Sequence, residues 1–212
     1  MQCLKSLRLL RNQLNSKIVA ERVGYISSRH TSEDACSNAR TLLSLLGSSN
    51  LDFSQVKGVS EKKWLPTNRG LCSADECRHG ALTPLALFDK VLGILEPVTI
   101  PPSLKSALHW DEPPRIDVLI RQLDFLLGSE HGYDSVVEVV EEFGRRQWTD
   151  EDFASLECTV RDRQWIPTTC DILTDAKSAV FKLSPTMINS GFHQIRTDLK
   201  AETLLQRMGC SD

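Results

Sequence analysis

The chain of 212 residues lacks three features: long apolar runs, an excess of basic residues, and glycine-rich phosphate loops. None of its apolar stretches approaches the roughly 20 residues that span a bilayer, so we expect no membrane partner. The net charge of −3 argues against the broad basic surface that binds a nucleic-acid backbone, so we expect no nucleic-acid partner either. Neither the P-loop pattern nor the dinucleotide pattern G-x-G-x-x-G occurs, so we expect no nucleotide and no cofactor.

The seven cysteines are odd in number and irregularly spaced, and we expect no secretory leader. This pattern favours reduced thiols and a cytoplasmic protein. Residues 1–17 contain four basic residues and no acid, as a mitochondrial presequence does. A small mitochondrial protein therefore stays open as an alternative.

Two stretches of the chain repeat one pattern: Trp, a branched apolar residue, Pro and Thr. They are Lys62–Gly70 (KKWLPTNRG) and Arg163–Asp171 (RQWIPTTCD), and their tryptophans are 101 residues apart. The register continues downstream, where Leu82-Thr83-Pro84 falls on Leu183-Ser184-Pro185. A chance tetrapeptide would not keep register for so long, so we interpret the chain as a tandem repeat.

The length of the period predicts two modules, each with its own small core. Residues 1–101 form the first module and residues 102–200 the second, and residues 201–212 are predicted to start a third unit. The spacing of apolar residues within each copy is mainly helical. We therefore predict an α+β fold, predominantly α-helical, in which each module of about 100 residues has several helices and a short β-hairpin-like element.

Several helix boundaries follow from local signals. A helix is predicted from about Ser32 to Leu46, with Thr31 and Asp34 as a capping pair and Gly47 as its stop. The β-branched stretch after Asp134 (VVEVVEEF) is assigned to a helix because it is in register with an Ala/Leu helix in the first copy.

The repeated motif predicts a structural corner in each module, with a tryptophan anchoring a small β element onto helices. The residue before a proline is pushed out of the α region, so both motifs are expected to be extended. Ser178–Leu183 is predicted as the returning strand of the second copy. The residues assigned to this structural motif are Trp64, Pro66, Thr67, Trp110, Trp165, Pro167 and Thr168.

The best candidates for metal binding are Cys72, Cys77 and His79, which form a C-x4-C-x-H cluster. A closed structural zinc site needs four ligands, and no fourth ligand lies nearby in the sequence. We therefore assign no metal site and no catalytic residue. A cysteine- or zinc-dependent enzyme, or a zinc-binding module, that uses these three residues stays open as an alternative.

The stretch Leu108–Leu127 (LHWDEPPRIDVLIRQLDFLL) resembles the repeat regions of sacsin and sacsin-like giant proteins. Ala20–Ser27 (AERVGYIS) is similar to another helix of those regions, and the two Trp-x-Pro-Thr motifs are similar to their strand. The resemblance covers nearly the whole chain in two copies. It implies a chaperone-related scaffold, without the GHKL-type ATP-binding domain that precedes such repeats in that family.

These observations predict a non-enzymatic module that contacts protein partners, either a chaperone or its client. The missing ATP-binding domain leads us to expect a fragment of a larger protein.

Overall fold

The computed structural model describes residues 15–128 and 132–211, which form two compact units. The first unit contains the described residues up to Pro84 together with Leu92–Pro113. The second contains Leu85–Val91 together with the described residues from Pro114 onward. Most of the basic N-terminal segment on which the presequence alternative rests lies outside the described residues.

The units divide the chain at other points than the predicted division after residue 101. Residues 102–113 belong to the first unit, because Leu104 and Trp110 are buried in its core. Residues 201–211 belong to the second unit, where Leu205 is fully buried, and so do not start a third. The short helix Pro102–Ala107 therefore completes the first unit, and the short helix Glu202–Arg207 completes the second.

Among its described residues, the first unit has three α-helices: α1 (Ser16–Ser28), α2 (Glu33–Gly47) and α3 (Pro102–Ala107). The predicted second helix is confirmed, but its cap is Ser32 and not Thr31, since the Ser32 hydroxyl accepts the Ala35 N–H at 3.2 Å. Pro102 begins α3 at a position where its missing amide proton is not needed.

The described part of the first unit also contains two pairs of short strands and two single turns of 3-10 helix. Strands β1 (Leu65–Thr67) and β2 (Gly70–Cys72) form an antiparallel hairpin. Strands β3 (Cys77–Arg78) and β4 (Gly93–Ile94) pair in parallel. The two turns of 3-10 helix are Phe53–Gln55 and Ala74–Glu76.

The second unit has a longer helical part. Its helices are α4 (Ile116–Leu127), α5 (Tyr133–Gly144), α6 (Asp150–Val160), α7 (Pro185–Ile188) and α8 (Glu202–Arg207). The helical assignment of the β-branched stretch is confirmed by α5. Helix α6 begins with a capping box, in which the Thr149 hydroxyl accepts the Asp152 N–H while the Asp152 carboxylate accepts the Thr149 backbone N–H.

The strands of the second unit correct one prediction. The partner of β5 (Ile166–Pro167) is β6 (Leu173–Thr174), in an antiparallel hairpin, so the returning strand is not Ser178–Leu183. Within that stretch β7 (Ala179–Val180) pairs in parallel with β8 (His193–Gln194). The hairpin turns back earlier than predicted because Asp171 adopts a positive φ of 56° at its tip.

The segment Leu85–Val91 is held in the second unit by one buried polar side chain. Gln122 on α4 is fully buried, and its amide nitrogen donates to the Ala86 carbonyl at 2.9 Å and to the Asp89 carboxylate at 2.8 Å. Its amide oxygen accepts the Lys90 backbone N–H at 3.0 Å. A buried amide with these partners fixes the segment in one register.

Corresponding glycines end the second helix of each unit. A Cβ added at Gly47 would collide with the Thr99 carbonyl oxygen, and one at Gly144 would collide with the Lys200 carbonyl oxygen. Neither glycine has a positive φ. Glycine is needed at both positions because it has no Cβ, so the backbone of Thr99 or Lys200 can pack directly against the end of the helix.

The architecture as a whole is a predominantly helical α+β fold, as predicted from the apolar spacing. Among the described residues, no helix combines the length and the apolar character that a membrane crossing requires.

Candidate functional site

The Trp-x-Pro-Thr motifs form corners with the same local geometry. The backbone N–H of Trp64 donates to the Cys72 carbonyl at 3.1 Å, and that of Trp165 donates to the Thr174 carbonyl at 3.0 Å. Each bond closes a hairpin at the end opposite its turn. All four residues of each tetrapeptide are buried, and the exposed fractions of the two tryptophans are 0% and 1%. Both motifs therefore act as packing elements.

The threonines of the motifs hold the tips of the hairpins. The Thr67 hydroxyl donates to the Gly70 carbonyl at 2.8 Å, and the Thr168 hydroxyl donates to the Ile172 carbonyl at 2.9 Å. Gly70 and Asp171 both have positive φ, which glycine adopts freely and aspartate tolerates better than most residues. The turn is one residue longer in the second copy, where Pro167 pairs with Leu173, than in the first, where Pro66 pairs with Leu71.

The prolines of the motifs extend each hairpin to a further segment. The Pro66 carbonyl accepts the Glu96 N–H at 3.2 Å, and the Pro167 carbonyl accepts the Arg196 N–H at 3.3 Å. Trp110 contributes to the first unit only, where its indole N–H donates to the Ala74 carbonyl at 3.1 Å. Each motif residue predicted from the sequence therefore has a packing or hydrogen-bonding role.

One difference separates the two corners. The indole N–H of Trp64 donates to the Val59 carbonyl at 2.7 Å. In the described part of the chain, the indole N–H of Trp165 has no acceptor. The residue in register with Val59 is Val160, whose carbonyl accepts the backbone N–H of Arg163 at 3.0 Å instead.

A cleft of about 570 Å³ lies beside Trp165, between the end of α6, the segment before β7 and the end of α8. Its apolar lining is formed by Val160, Trp165, Ala176 and Met208. Trp165 is therefore both an anchor of the core and part of the wall of an open cleft.

The rim of this cleft is charged but balanced. Its acids are Glu157, Asp162 and Asp175, and its bases are Arg161, Arg163 and Lys177. Several of these groups have intramolecular partners: Arg163 pairs with Asp124 at 2.6 Å, and the Asp175 carboxylate accepts the backbone N–H groups of Lys177 and Ser178, each at 2.9 Å. The rim therefore favours neither an anionic nor a cationic ligand.

A smaller cleft of about 260 Å³ also lies in the second unit. Three aromatic rings line it: Phe143 and Phe153 flank Trp148 with centroid separations of 5.1 and 6.2 Å. The guanidinium of Arg207 lies 4.0 Å from the centre of the Phe153 ring and pairs with Asp150. The Trp148 indole N–H donates to the Phe143 carbonyl at 3.0 Å, so the polar groups of this cleft are largely used within the fold.

Cys72, Cys77 and His79 each contact other groups within the fold. The Cys72 sulfur lies 3.4 Å from the Thr67 hydroxyl oxygen. The Cys77 thiol donates to the Ser73 carbonyl at 3.2 Å, and burial raises the pKa of that thiol well above its usual range. The Nδ1 atom of His79 accepts the Ala81 N–H, so its Nε2 atom carries the proton and donates to the Val98 carbonyl at 2.9 Å. Both ring nitrogens are thereby engaged with the backbone.

Over residues 15–128 and 132–211, no three His, Cys, Asp or Glu side chains are grouped so as to hold a metal ion. The predicted cluster of two cysteines and one histidine is thus adjacent in sequence without forming a ligand set. The six cysteines of these ranges are all free thiols.

Comparison of the chain with protein-family models, with curated proteins and with solved structures found no match. The cleft beside Trp165 was not predicted from the sequence, because the two tetrapeptides are alike and do not determine the direction of the Val160 carbonyl. The one sequence signal is the loss of Gly58 in the second copy, where Thr159 stands in register.

Proposed function

We propose that the chain is a non-enzymatic protein-interaction module of a sacsin-like, chaperone-related scaffold protein that acts in the cytoplasm. The observation that carries the proposal is the open cleft beside Trp165, which has an apolar lining in the second unit. Binding sites of this kind combine an apolar floor with a few polar groups that fix orientation.

The state of the reactive side chains supports a binding role over catalysis. A cysteine nucleophile needs a low thiol pKa and an adjacent base, whereas the buried Cys77 thiol has a raised pKa. His79 is occupied by two backbone groups and is not placed to act as that base.

The free thiols support the proposed compartment. Cys158 and Cys170 are exposed, and unpaired exposed thiols persist in a reducing environment. The balanced rim of the cleft supports a protein partner, because a nucleic acid or a nucleotide would call for an excess of basic groups.

The proposal is tested by blocking the cleft in the full chain. Ala176 is half-buried in its lining, so Ala176→Arg fills the cleft with a large charged side chain. Ala154→Arg is the matched control, because Ala154 is exposed on α6 and does not line the cleft. Tagged parent and both variants are used for quantitative capture of co-purifying proteins, with melting curves to check folding.

We expect the parent and Ala154→Arg to retain the same partners, and Ala176→Arg to lose them severalfold at an unchanged melting temperature. Equal capture by all three proteins would contradict a binding role for this cleft.

A further inference from the structure

Each repeat copy joins the two strands of its parallel pair by a segment that makes one helical turn. In the first copy the segment lies between β3 and β4, and its turn is Leu85–Leu87. In the second copy the segment lies between β7 and β8, and its turn is α7. A Thr-Pro pair begins the first segment and a Ser-Pro pair the second, and in this register Ile188 is the counterpart of Leu87.

The segment of the first copy is covered. Leu87 has 5% of its surface exposed and belongs to the core of the second unit. Its turn packs against α4 and α5, whose residues in that core include Ile120 and Val137. Gln122 on α4 binds the backbone on both sides of Leu87. The groove between α4 and α5 is therefore filled by this segment.

The segment of the second copy is open. Ile188 has 59% of its surface exposed, more than any other large hydrophobic residue in the described ranges. Residues 183–192 carry no charge, which suits them to an apolar partner. A single exposed isoleucine is common on protein surfaces. The burial of its counterpart is what indicates a partner, because units of a repeat bury apolar surface against the next unit.

We infer that the segment around Ile188 is a docking surface for a further repeat unit, and that Ile188 enters the groove between two helices of the kind that α4 and α5 form. None of residues 182–192 lines the cleft beside Trp165. The inference therefore adds a second interaction surface to the proposed function and is tested separately from it.

A second copy of this chain offers no such groove. Leu85–Val91 belongs to the second unit and fills the groove there. In the first unit Arg40 stands in register with Val137, counted back from the glycine that ends each helix. Arg40 pairs with Glu96 at 2.7 Å, so a charged side chain lies where the groove needs an aliphatic one. The occupant is therefore a further unit whose helix pair has an unfilled groove.

The test joins a second copy of residues 113–212 directly after Asp212 of the full chain. The join keeps as many residues between α8 and the appended helix as there are between α3 and α4. The appended copy has a helix pair with the sequence of α4 and α5, but it lacks residues 85–91 to fill the groove. Ile188→Cys in the second unit then reports whether α7 enters that groove.

Iodoacetamide should label the thiol introduced by Ile188→Cys rapidly in the parent and about tenfold more slowly in the extended chain, because docking protects a side chain. Peptide mapping by mass spectrometry separates this site from the other cysteines. Lys182→Cys is the matched control, because Lys182 and its counterpart Ala81 are both exposed, so its thiol should be labelled equally fast in both chains. Leu87→Cys in the parent gives the rate for a docked segment.

Equal labelling of the Ile188→Cys thiol in the parent and the extended chain would overturn the inference, whether or not the appended helices fold. A dimer of the parent that Ile188→Arg dissolves in sedimentation would also overturn it, because a second copy of this chain would then be the occupant. Neither outcome bears on the cleft beside Trp165, which Ile188 does not line.

Discussion

The indole nitrogen of Trp64 lies 2.7 Å from the carbonyl oxygen of Val59, and this hydrogen bond fixes the loop that precedes the first hairpin. Trp165 occupies the corresponding corner and is buried to the same degree, but its indole N–H has no such partner in the described residues. In the first unit the repeated tryptophan thus packs in the core and donates a hydrogen bond, whereas in the second unit it packs beside an open cleft.

This difference predicts unequal effects of the same substitution. Trp64→Phe and Trp165→Phe both replace a buried indole with a smaller phenyl ring, but only Trp64→Phe also removes a buried hydrogen bond. We expect Trp64→Phe to lower the free energy of unfolding of its unit by about 1 kcal/mol more than Trp165→Phe does. Urea unfolding of the two variants measures the difference, and equal losses would show that the Val59 bond does not distinguish the corners.

A side chain at Gly144, the last residue of α5, should clash with neighbouring backbone. Gly144→Ala places a Cβ against the backbone of Lys200 and Ala201, so the main chain must move, at a cost of about 1–3 kcal/mol or more. Gly128→Ala is the control, because Gly128 has an ordinary φ of −87° and its nearest described atoms would lie 3.5 Å or more from the added Cβ. Thermal melts should show a clear loss for the first variant and little change for the second. A Gly144→Ala variant as stable as the parent would mean that the Lys200 backbone does not approach α5 as described.

The cysteines predict selective alkylation. Cys158 and Cys170 are exposed, whereas Cys77 is fully buried and its thiol pKa is raised by desolvation. Iodoacetamide at pH 8 should label the first two thiols of the native protein rapidly and Cys77 slowly, as peptide mapping by mass spectrometry can show. Urea should equalise the rates. Labelling of native Cys77 at the rate of Cys158 would contradict its burial.

Burial also raises the pKa of the Cys210 thiol to about 12, and this predicts how stability depends on pH. A thiol in the unfolded chain loses its proton near pH 8.5, whereas the folded thiol keeps it. The folded state therefore binds more protons above pH 8.5, and stability should fall as the pH rises from there toward 12. Cys210→Ala should reduce this slope in urea unfolding measured at several alkaline pH values. An unchanged slope would assign it to other groups.

Local signals in the sequence predicted much of the fold. The register between the copies identified α5 as a helix although many of its residues are β-branched. Proline after a branched residue located both hairpins. These signals depend on residues close in sequence, which is why they could be read without the structure.

Three features of the structure were missed. A repeat period gives the length of a unit but not where it ends, so the short helix that buries Leu104 was assigned to the wrong unit. The early turn at Asp171 requires a positive φ, which the sequence around Asp171 does not predict. The cleft depends on the hydrogen bond from the Arg163 backbone N–H to the Val160 carbonyl, which the composition and the spacing of residues do not predict.

The central claim is that the repeated tryptophan anchors a separate core in each unit, and Trp165→Ala tests it most directly. Indole N–H signals followed through urea unfolding report the units separately, because Trp64 and Trp110 lie in the first and Trp148 in the second. Trp165→Ala should lower the free energy of unfolding of the second unit by about 3–5 kcal/mol. We therefore expect the Trp148 signal to be lost at a much lower urea concentration than in the parent, while the signals of Trp64 and Trp110 keep their midpoints. A Trp148 signal that keeps the midpoint of the parent would contradict the account.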